Sequence, residues 1–480
     1  MSTNGMTMEE NTMKLRLARR ASAQTHLRFA YKNGRDLPRD FTGDRRETTV
    51  RYDGGRTVIW CGLGDEKECR PHILRTAAAL GIRKAAELKR AHVAAELDRP
   101  AEEALAAAEG LLLGSYAYDR YLSEKPFKPG RCDIVTRSLT SAQLNHVEAA
   151  CGGVFLARDL TNENAEVATP EHLARAARAL AKGRGTSVTV LDERALKKLG
   201  LNLLLAVGRG SPTPPRLICI DYRGNPASRA CTAIVGKGIT FDSGGLNLKP
   251  SGSIETMRQD MAGAAAVLGT MQALTAIRPK INVTGVCACA HNSIDGASYL
   301  PGDVIRSYSG KTVEICNTDA EGRLALADAI AYAVKRYKPA EVIDLATLTG
   351  GILTTFADVI AGLFSNDDGL AARLFEAGEQ THERLWRLPI YGEYSDAMKG
   401  DYSDIRSLAK FKRGHASSIT GAAFIREFAG DVPWAHLDIA GTAFNENEAK
   451  GDVPRYATGF GVRLLLEYLM SRRAGRRPKR

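Results

Sequence analysis

The chain has 480 residues, 44% of them hydrophobic, and a formal net charge of +11 at pH 7. That length can bury a large core and argues for two domains, and no apolar run approaches the roughly 20 residues needed to cross a bilayer. Nine scattered cysteines with no C-x-x-C pair and no zinc-finger spacing read as reduced, mostly buried side chains rather than a disulfide framework or a structural zinc site.

Met1–Asn11 is polar and acidic and lacks the apolar core of a secretory signal, so the expectation is a soluble, cytoplasmic protein without a membrane. Much of the positive excess sits near the ends, in Lys14, Arg16, Arg19, Arg20 and the tail Arg472–Arg480. Such segments read as disordered, solvated extensions; they also raise nucleic acid as a partner, although no nucleic-acid-binding motif accompanies them. Thr57–Gly64 is a short apolar run ending in glycines, which predicts a buried strand entering a turn. The Ala-, Leu-, Lys- and Arg-rich stretch Ile73–Leu97 predicts a helix, and Ala101 to about Leu113 predicts a second. Together they describe a smaller N-terminal α/β domain, residues 1–155, with no obvious chemistry.

The pattern turns polar at Leu156–Asn164, and Thr169-Pro170 opens a helix over Glu171–Lys182. Beyond lie predicted strands at Ser187–Leu191, Arg216–Tyr222, Ala230–Val235, Asn282–Cys289 and Glu341–Ala346, with helices at Ile254–Leu274 and Leu324–Tyr337. Cys287 and Cys289 alternate within one of these strands, as on a buried face. This β/α alternation predicts a larger C-terminal domain, residues 156–480, in which helices flank a mainly parallel sheet and ligands bind at the carboxyl ends of strands.

The chemistry concentrates in this second domain. In Asn317-Thr-Asp-Ala-Glu-Gly-Arg-Leu324, Asp319, Glu321 and Arg323 alternate; in extended backbone they would share one face and crowd two carboxylates against a guanidinium. Either Arg323 neutralises its neighbours in a solvated loop, or a divalent metal holds the acids ionised. Upstream, Gly236 and Gly238 flank Lys237 at a strand end, Asp242 precedes the turn glycines Gly244 and Gly245, and Lys249 precedes Pro250. Asp260 falls in a predicted helix whose next turn is Ala and Gly, where an acid needs an anchor. P-loop, H-E-x-x-H and G-x-S-x-G patterns are missing, and the histidines form no ligand pair; His291 and His436 read as core or supporting groups.

Val235–Pro250, Met257–Ala266 and Asn317–Leu324, with Ala346–Gly350 and Trp434–Thr442, closely resemble the leucyl aminopeptidases of the M17 metallopeptidase family, from about Ala157 to the end. The resemblance implies two divalent ions per subunit, Mn2+ or Zn2+ with Mg2+ as a further candidate. Asp242, Asp319 and Glu321 would hold one ion, and Lys237, Asp242, Asp260 and Glu321 the other. Bridging carboxylates suit the separation of about 3.5–4 Å used in two-metal hydrolysis, and Lys237 would have to be a neutral amine, its pKa lowered by the adjacent cations. The resemblance further assigns Lys249 to the oxyanion, Arg323 to a bicarbonate acting as general base, and Met257, Thr347 and Gly350 to the pocket for the first side chain. It implies a homohexamer acting on short peptides, with Leu and other apolar residues preferred at the N-terminus. Asn164 stands where the family commonly carries Pro, and Phe444 where Trp is usual. A nucleic-acid-binding protein on the same scaffold is the alternative reading.

Overall fold

A computed structural model describes residues 13–412 and 414–471; Met1–Asn11 and Arg472–Arg480, the subjects of two expectations above, lie outside the described residues. The chain divides into two units, the first comprising residues up to Cys151 together with Asn445–Tyr456, the second Gly152–Phe444 and the residues from Ala457 onward.

The first unit holds β1 (Lys14–Ala18), β2 (Thr25–Ala30), β3 (Thr48–Asp53), β4 (Arg56–Gly62), β5 (His92–Glu96) and β6 (Arg131–Val135) in one sheet of order β1-β6-β5-β2-β4-β3. Every pairing is parallel except the β3–β4 hairpin. Two expectations change here. Lys14 and Arg16 are not in a solvated extension: they lie in β1, which pairs with β6 from Lys14↔Arg131 to Ala18↔Val135. The helix that begins at Pro71 stops at Glu87, and His92–Glu96 is a strand between β2 and β6. Ala-His-Val-Ala-Ala-Glu has weak local preference, and burial between two partner strands decides it.

The second unit is built on β7 (Thr186–Leu191), β8 (Arg216–Arg223), β9 (Thr232–Asp242), β10 (Asn282–Asn292), β13 (Glu341–Ala346), β14 (Ala361–Ser365), β15 (Leu385–Arg387) and β17 (Trp434–Asp438), ordered β15-β14-β17-β13-β9-β10-β8-β7. A small separate sheet uses β11 (Val304–Arg306), β12 (Thr312–Glu314) and β16 (Ile405–Arg406). The four central strands run parallel, and β8 and β14 pair antiparallel at either side. All of β13 and nearly all of β9 and β10 are buried, as expected of strands covered on both faces.

Two helices supply that cover. A Cβ at Gly236 would meet the Ala264 backbone at 2.6 Å, whereas the Lys237 side chain packs against Gly322. Successive strand residues face opposite ways, so helix Ala262–Ile277 and helix Glu321–Tyr337 lie on opposite faces of β9. The stretch Met257–Ile277 is long and apolar enough to cross a membrane by length and composition, contrary to the expectation that no such run exists. It is mostly buried in the unit, so its apolarity serves the core. None of the nine cysteines is in a disulfide and seven are buried, Cys287 and Cys289 in β10 among them.

The helix ending at Asn162 begins at Ser141, so the polar stretch read from Leu156 is helical. From β9 the chain goes to β10 on one side and to β13 on the other, so the sheet order reverses at β9, where strand ends open a crevice.

Candidate metal centre

Lys237, Asp242, Lys249, Asp260, Asp319 and Glu321 come together in this crevice. Lys237 sits in β9, its side chain 3% exposed. Its Nζ lies 2.8 Å from Asp260 Oδ1 and 2.9 Å from Glu321 Oε1 and donates to the Thr347 carbonyl oxygen at 2.9 Å. Asp242, the last residue of β9, accepts from the Gly244 N–H at 2.9 Å and from Asn292 Nδ2 at 2.8 Å. Lys249 Nζ bridges Asp242 Oδ2, at 2.9 Å, and Asp319 Oδ1. Two ammonium groups therefore serve four carboxylates.

Local structure differs from the alternation read in the sequence. Thr318–Ala320 forms a 3-10 turn and Glu321 opens the following α-helix, so Asp319, Glu321 and Arg323 do not share an extended face. Asp319 and Glu321 converge because the turn is folded back. Asn247 Oδ1 accepts the Thr318 N–H at 2.9 Å, the Asn247 N–H donates to Thr318 Oγ1 at 2.9 Å, and Thr318 Oγ1 donates to the Gly244 carbonyl at 2.7 Å. These bonds tie the Asp242–Lys249 loop to the Asp319 turn. Asp260 likewise lies in a 3-10 turn, Met257–Met261, ahead of its helix rather than inside it. Its Oδ1 also accepts from Thr347 Oγ1 at 2.8 Å.

Gly322 sets how closely the helix can approach: an added Cβ would fall 2.5 Å from Lys237 Cε and 2.6 Å from its Nζ. A glycine between Glu321 and Arg323 lets the lysine lie along the first helical turn.

The electrostatics follow from burial and crowding. Burial, then the Glu321 charge, push the Asp242 carboxyl up to about 6, and burial raises Asp260 well above the ordinary range. Burial and then Glu321 also raise Asp319. For Glu321 burial opposes ionisation, but Lys237 and Lys249 outweigh it and hold the group below its ordinary value. Burial likewise disfavours the Lys237 ammonium, yet Asp260, Glu321 and Asp242 together raise its pKa. With carboxylates alone around it, Lys237 is an ammonium, so the neutral amine expected from the sequence requires cations beside it.

The donor set suits a divalent cation. Ligand atoms of Asp242, Asp319 and Glu321 lie within 4.8 Å of one another. Asp260 Oδ2 and Glu321 Oε2 are buried with no hydrogen-bond partner among the described residues. A buried carboxylate oxygen left bare is costly, and oxygen-rich clusters of this kind are the ordinary setting of hard divalent ions.

Arg323 is buried; its Nη1 donates to the Ser407 carbonyl at 2.7 Å and its Nε has no partner among the described residues. Burial lowers its pKa. Met257 is half-buried in the turn leading to Asp260, and Gly350 is exposed at the start of helix Gly350–Phe356, with open space where a Cβ would project.

Sequence reasoning missed the residues that hold these loops. Asn292, at the end of β10, donates to both Asp242 and the Thr318 carbonyl. Asp438, at the end of β17, accepts from the Leu348 N–H at 3.1 Å and from Thr349 Oγ1 at 2.6 Å, fixing the strand end that carries Thr347. Their signal was position, a polar residue ending a strand of a parallel sheet, rather than any charge pattern. His436 is fully buried, with Nδ1 2.6 Å from Asp344, and His291 stacks edge-on to Phe241; neither joins the acids.

Residues 155–466 match the cytosol aminopeptidase family, catalytic domain, and residues 38–125 its N-terminal domain. The chain is 44% identical over 451 residues to a probable cytosol aminopeptidase of Protochlamydia amoebophila, covering 90% of this chain and 89% of that protein. It is 42% identical over 451 residues to one of Roseiflexus castenholzii, covering 90% and 91%. Among solved structures, the bottromycin maturation enzyme BotP in complex with Mn superposes with a TM-score of 0.88 at 33% identity, covering 94% of this chain and 99% of that one. A mutant of tomato leucine aminopeptidase superposes with a TM-score of 0.87 at 31% identity, covering 96% and 98%. None of these names carries the nucleic-acid alternative. A fold, a cluster of acids and lysines, and relatives matched along nine-tenths of the sequence agree, and the chain belongs to the cytosol aminopeptidase family of metal-dependent peptidases.

Proposed function

We propose that this enzyme is a two-metal leucyl aminopeptidase that removes N-terminal apolar residues from short peptides. The observation that carries the reading is the pair of buried carboxylate oxygens on Asp260 and Glu321, without a hydrogen-bond partner among the described residues, within a cluster of four acids. Asp242, Asp319 and Glu321 would hold one ion and Lys237, Asp242, Asp260 and Glu321 the other, with Asp242 and Glu321 shared. Two divalent ions, Mn2+ or Zn2+, would supply a Lewis acid for the scissile carbonyl and an activated water.

The chain's own groups do the rest. Lys249, whose carboxylate partners hold it protonated against burial, presents a positive charge for the developing oxyanion. Arg323, with its Nε donor unused, would hold the bicarbonate that takes the proton. Lys237 ties the Thr347 carbonyl to Asp260 and Glu321, which fixes the pocket wall relative to the acids. Met257, Thr347 and Gly350 would receive the substrate's first side chain; such a wall discriminates by about 1–3 kcal/mol per methylene, so breadth around Leu is expected. A cytoplasmic location, supported by the word cytosol in the relatives' names, and a homohexamer, supported by the resemblance alone, are part of the same proposal.

The test is chromophore release from a leucyl anilide with added Mn2+ or Zn2+, with and without chelator, in the parent and in Glu321→Ala. The expected result is activity that needs metal, disappears in the variant and requires a free substrate amine. Chelator-resistant turnover, or full activity of the variant, would sink the two-metal reading.

A further inference from the structure

The first unit carries a cleft of about 490 Å3 where β2, β4 and β5 begin. Its cationic wall comes from separate segments: Arg56 from the β3–β4 hairpin, and Lys89 and Arg90 from the turn after helix Pro71–Glu87. Among the described residues no acidic side chain lines it. Asp133, a carboxylate behind it that contacts the lining residues Ser22 and His92, is fully buried and already spent. It accepts from Ser22 Oγ at 2.7 Å, from Arg131 Nε at 2.9 Å and contacts His92 Nε2 at 3.0 Å.

Basic residues after a helix C-terminus have an ordinary explanation in the helix dipole. It covers Lys89 and Arg90 but not Arg56, which belongs to another element. Nor does it explain Arg90 Nε, which is buried without a hydrogen-bond partner among the described residues. A buried guanidinium donor left bare costs free energy unless an acceptor arrives. Around the cations, Ser22, Gln24, Thr25 and Thr57 offer hydroxyl and amide groups, and Tyr52 stands at the cleft with 70% of its surface exposed. The volume falls in the range of small-molecule sites.

We infer that this cleft binds a nucleoside phosphate, with Arg56, Lys89 and Arg90 on the phosphate, the hydroxyl groups on the sugar and the Tyr52 ring against the base. Arginine and lysine are the usual partners of phosphate oxygens, and an exposed aromatic ring beside them gives a base a stacking surface. The site is independent of the peptidase chemistry, whose residues all belong to the other unit.

The experiment is calorimetric titration of the full-length, Mn2+-loaded protein with AMP, inorganic phosphate and adenosine. AMP should bind saturably and phosphate more weakly, with adenosine weakest. Arg90→Gln and Lys89→Gln should each weaken AMP by about tenfold, the loss of one charge-assisted hydrogen bond, while leaving peptidase turnover and thermal melting unchanged. Tyr52→Ala, at an exposed position, should weaken AMP and leave inorganic phosphate unaffected. The inference is overturned by lack of saturable AMP binding, by equal binding of adenosine, or by unchanged affinity in both basic-residue variants. A single-stranded oligonucleotide whose affinity climbs with length, far past that of AMP, would also overturn it in favour of a polymer-binding surface.

Discussion

Asp133 and the acids Asp242, Asp260 and Glu321 of the metal centre are all buried carboxylates, and Asp319 beside them is partly so, yet the fold treats them in opposite ways. Asp133 is opposed by burial, but hydrogen bonds from Ser22, Arg131 and His92 outweigh it and hold the carboxyl below the ordinary aspartate range. Its acceptor capacity is used up. Asp242, Asp260 and Asp319 are raised instead, and Asp260 and Glu321 each keep a buried oxygen to which no described residue hydrogen-bonds. A carboxylate that serves only the fold is saturated by the fold. One that serves a ligand is left short of donors, and the shortfall locates the ligand.

The largest way to press this contrast is Lys249→Met, which removes the ammonium shared by Asp242 and Asp319. The turnover number is expected to fall by about 10²–10³-fold, with metal content by elemental analysis retained; loss of metal instead would assign Lys249 to assembling the site. Gly322→Ala comes next. Its Cβ would collide with Lys237, an overpacking worth about 1–3 kcal/mol, read as a lower melting temperature together with weaker Mn2+ binding. An unchanged melt would show that Lys237 moves aside.

Smaller, and sharper, is the pH dependence of metal affinity. With its carboxyl near 6, Asp242 carries a proton below that pH that a cation must displace. Lys237, an ammonium until a cation sits beside it, must also lose a proton on loading, so Mn2+ affinity should fall with pH across the whole range and more steeply below about pH 6, by up to about a further tenfold per unit, where Asp242 adds its own proton. Titration calorimetry between pH 7 and pH 5 reads this directly, and a flat profile contradicts it. The smallest effect belongs to Asp133→Asn, expected to cost about 1 kcal/mol because its partners are partly solvated. It should lower the melting temperature slightly without altering the Mn2+ titration. A change in metal affinity there would erase the distinction between the two kinds of carboxylate.

The sequence carried the catalytic unit better than the first one, for identifiable reasons. Glu341–Ala346 is a six-residue apolar-rich strand between clear turn signals, and it folds over those same residues. His92–Glu96 is alanine-rich and joins a sheet only because strands on both sides demand it. The seven charged residues of the centre were legible through their spacing, although the alternating extended face invoked for Asp319, Glu321 and Arg323 is a 3-10 turn running into a helix. Their convergence comes from long-range ties such as Asn247–Thr318 and Asn292–Asp242, which link segments dozens of residues apart and leave no local trace.

Gly322, packed beside Lys237, and Gly350, at the start of its helix, have opposite tolerances. Every side chain at 322 would strike Lys237, whereas position 350 opens onto free space. A library randomised at both positions and selected for peptidase activity should return glycine alone at 322 and a varied set at 350. The first position is closed to adaptation, and the second, in the substrate pocket proposed above, is where preference would drift during evolution without rebuilding the chemistry.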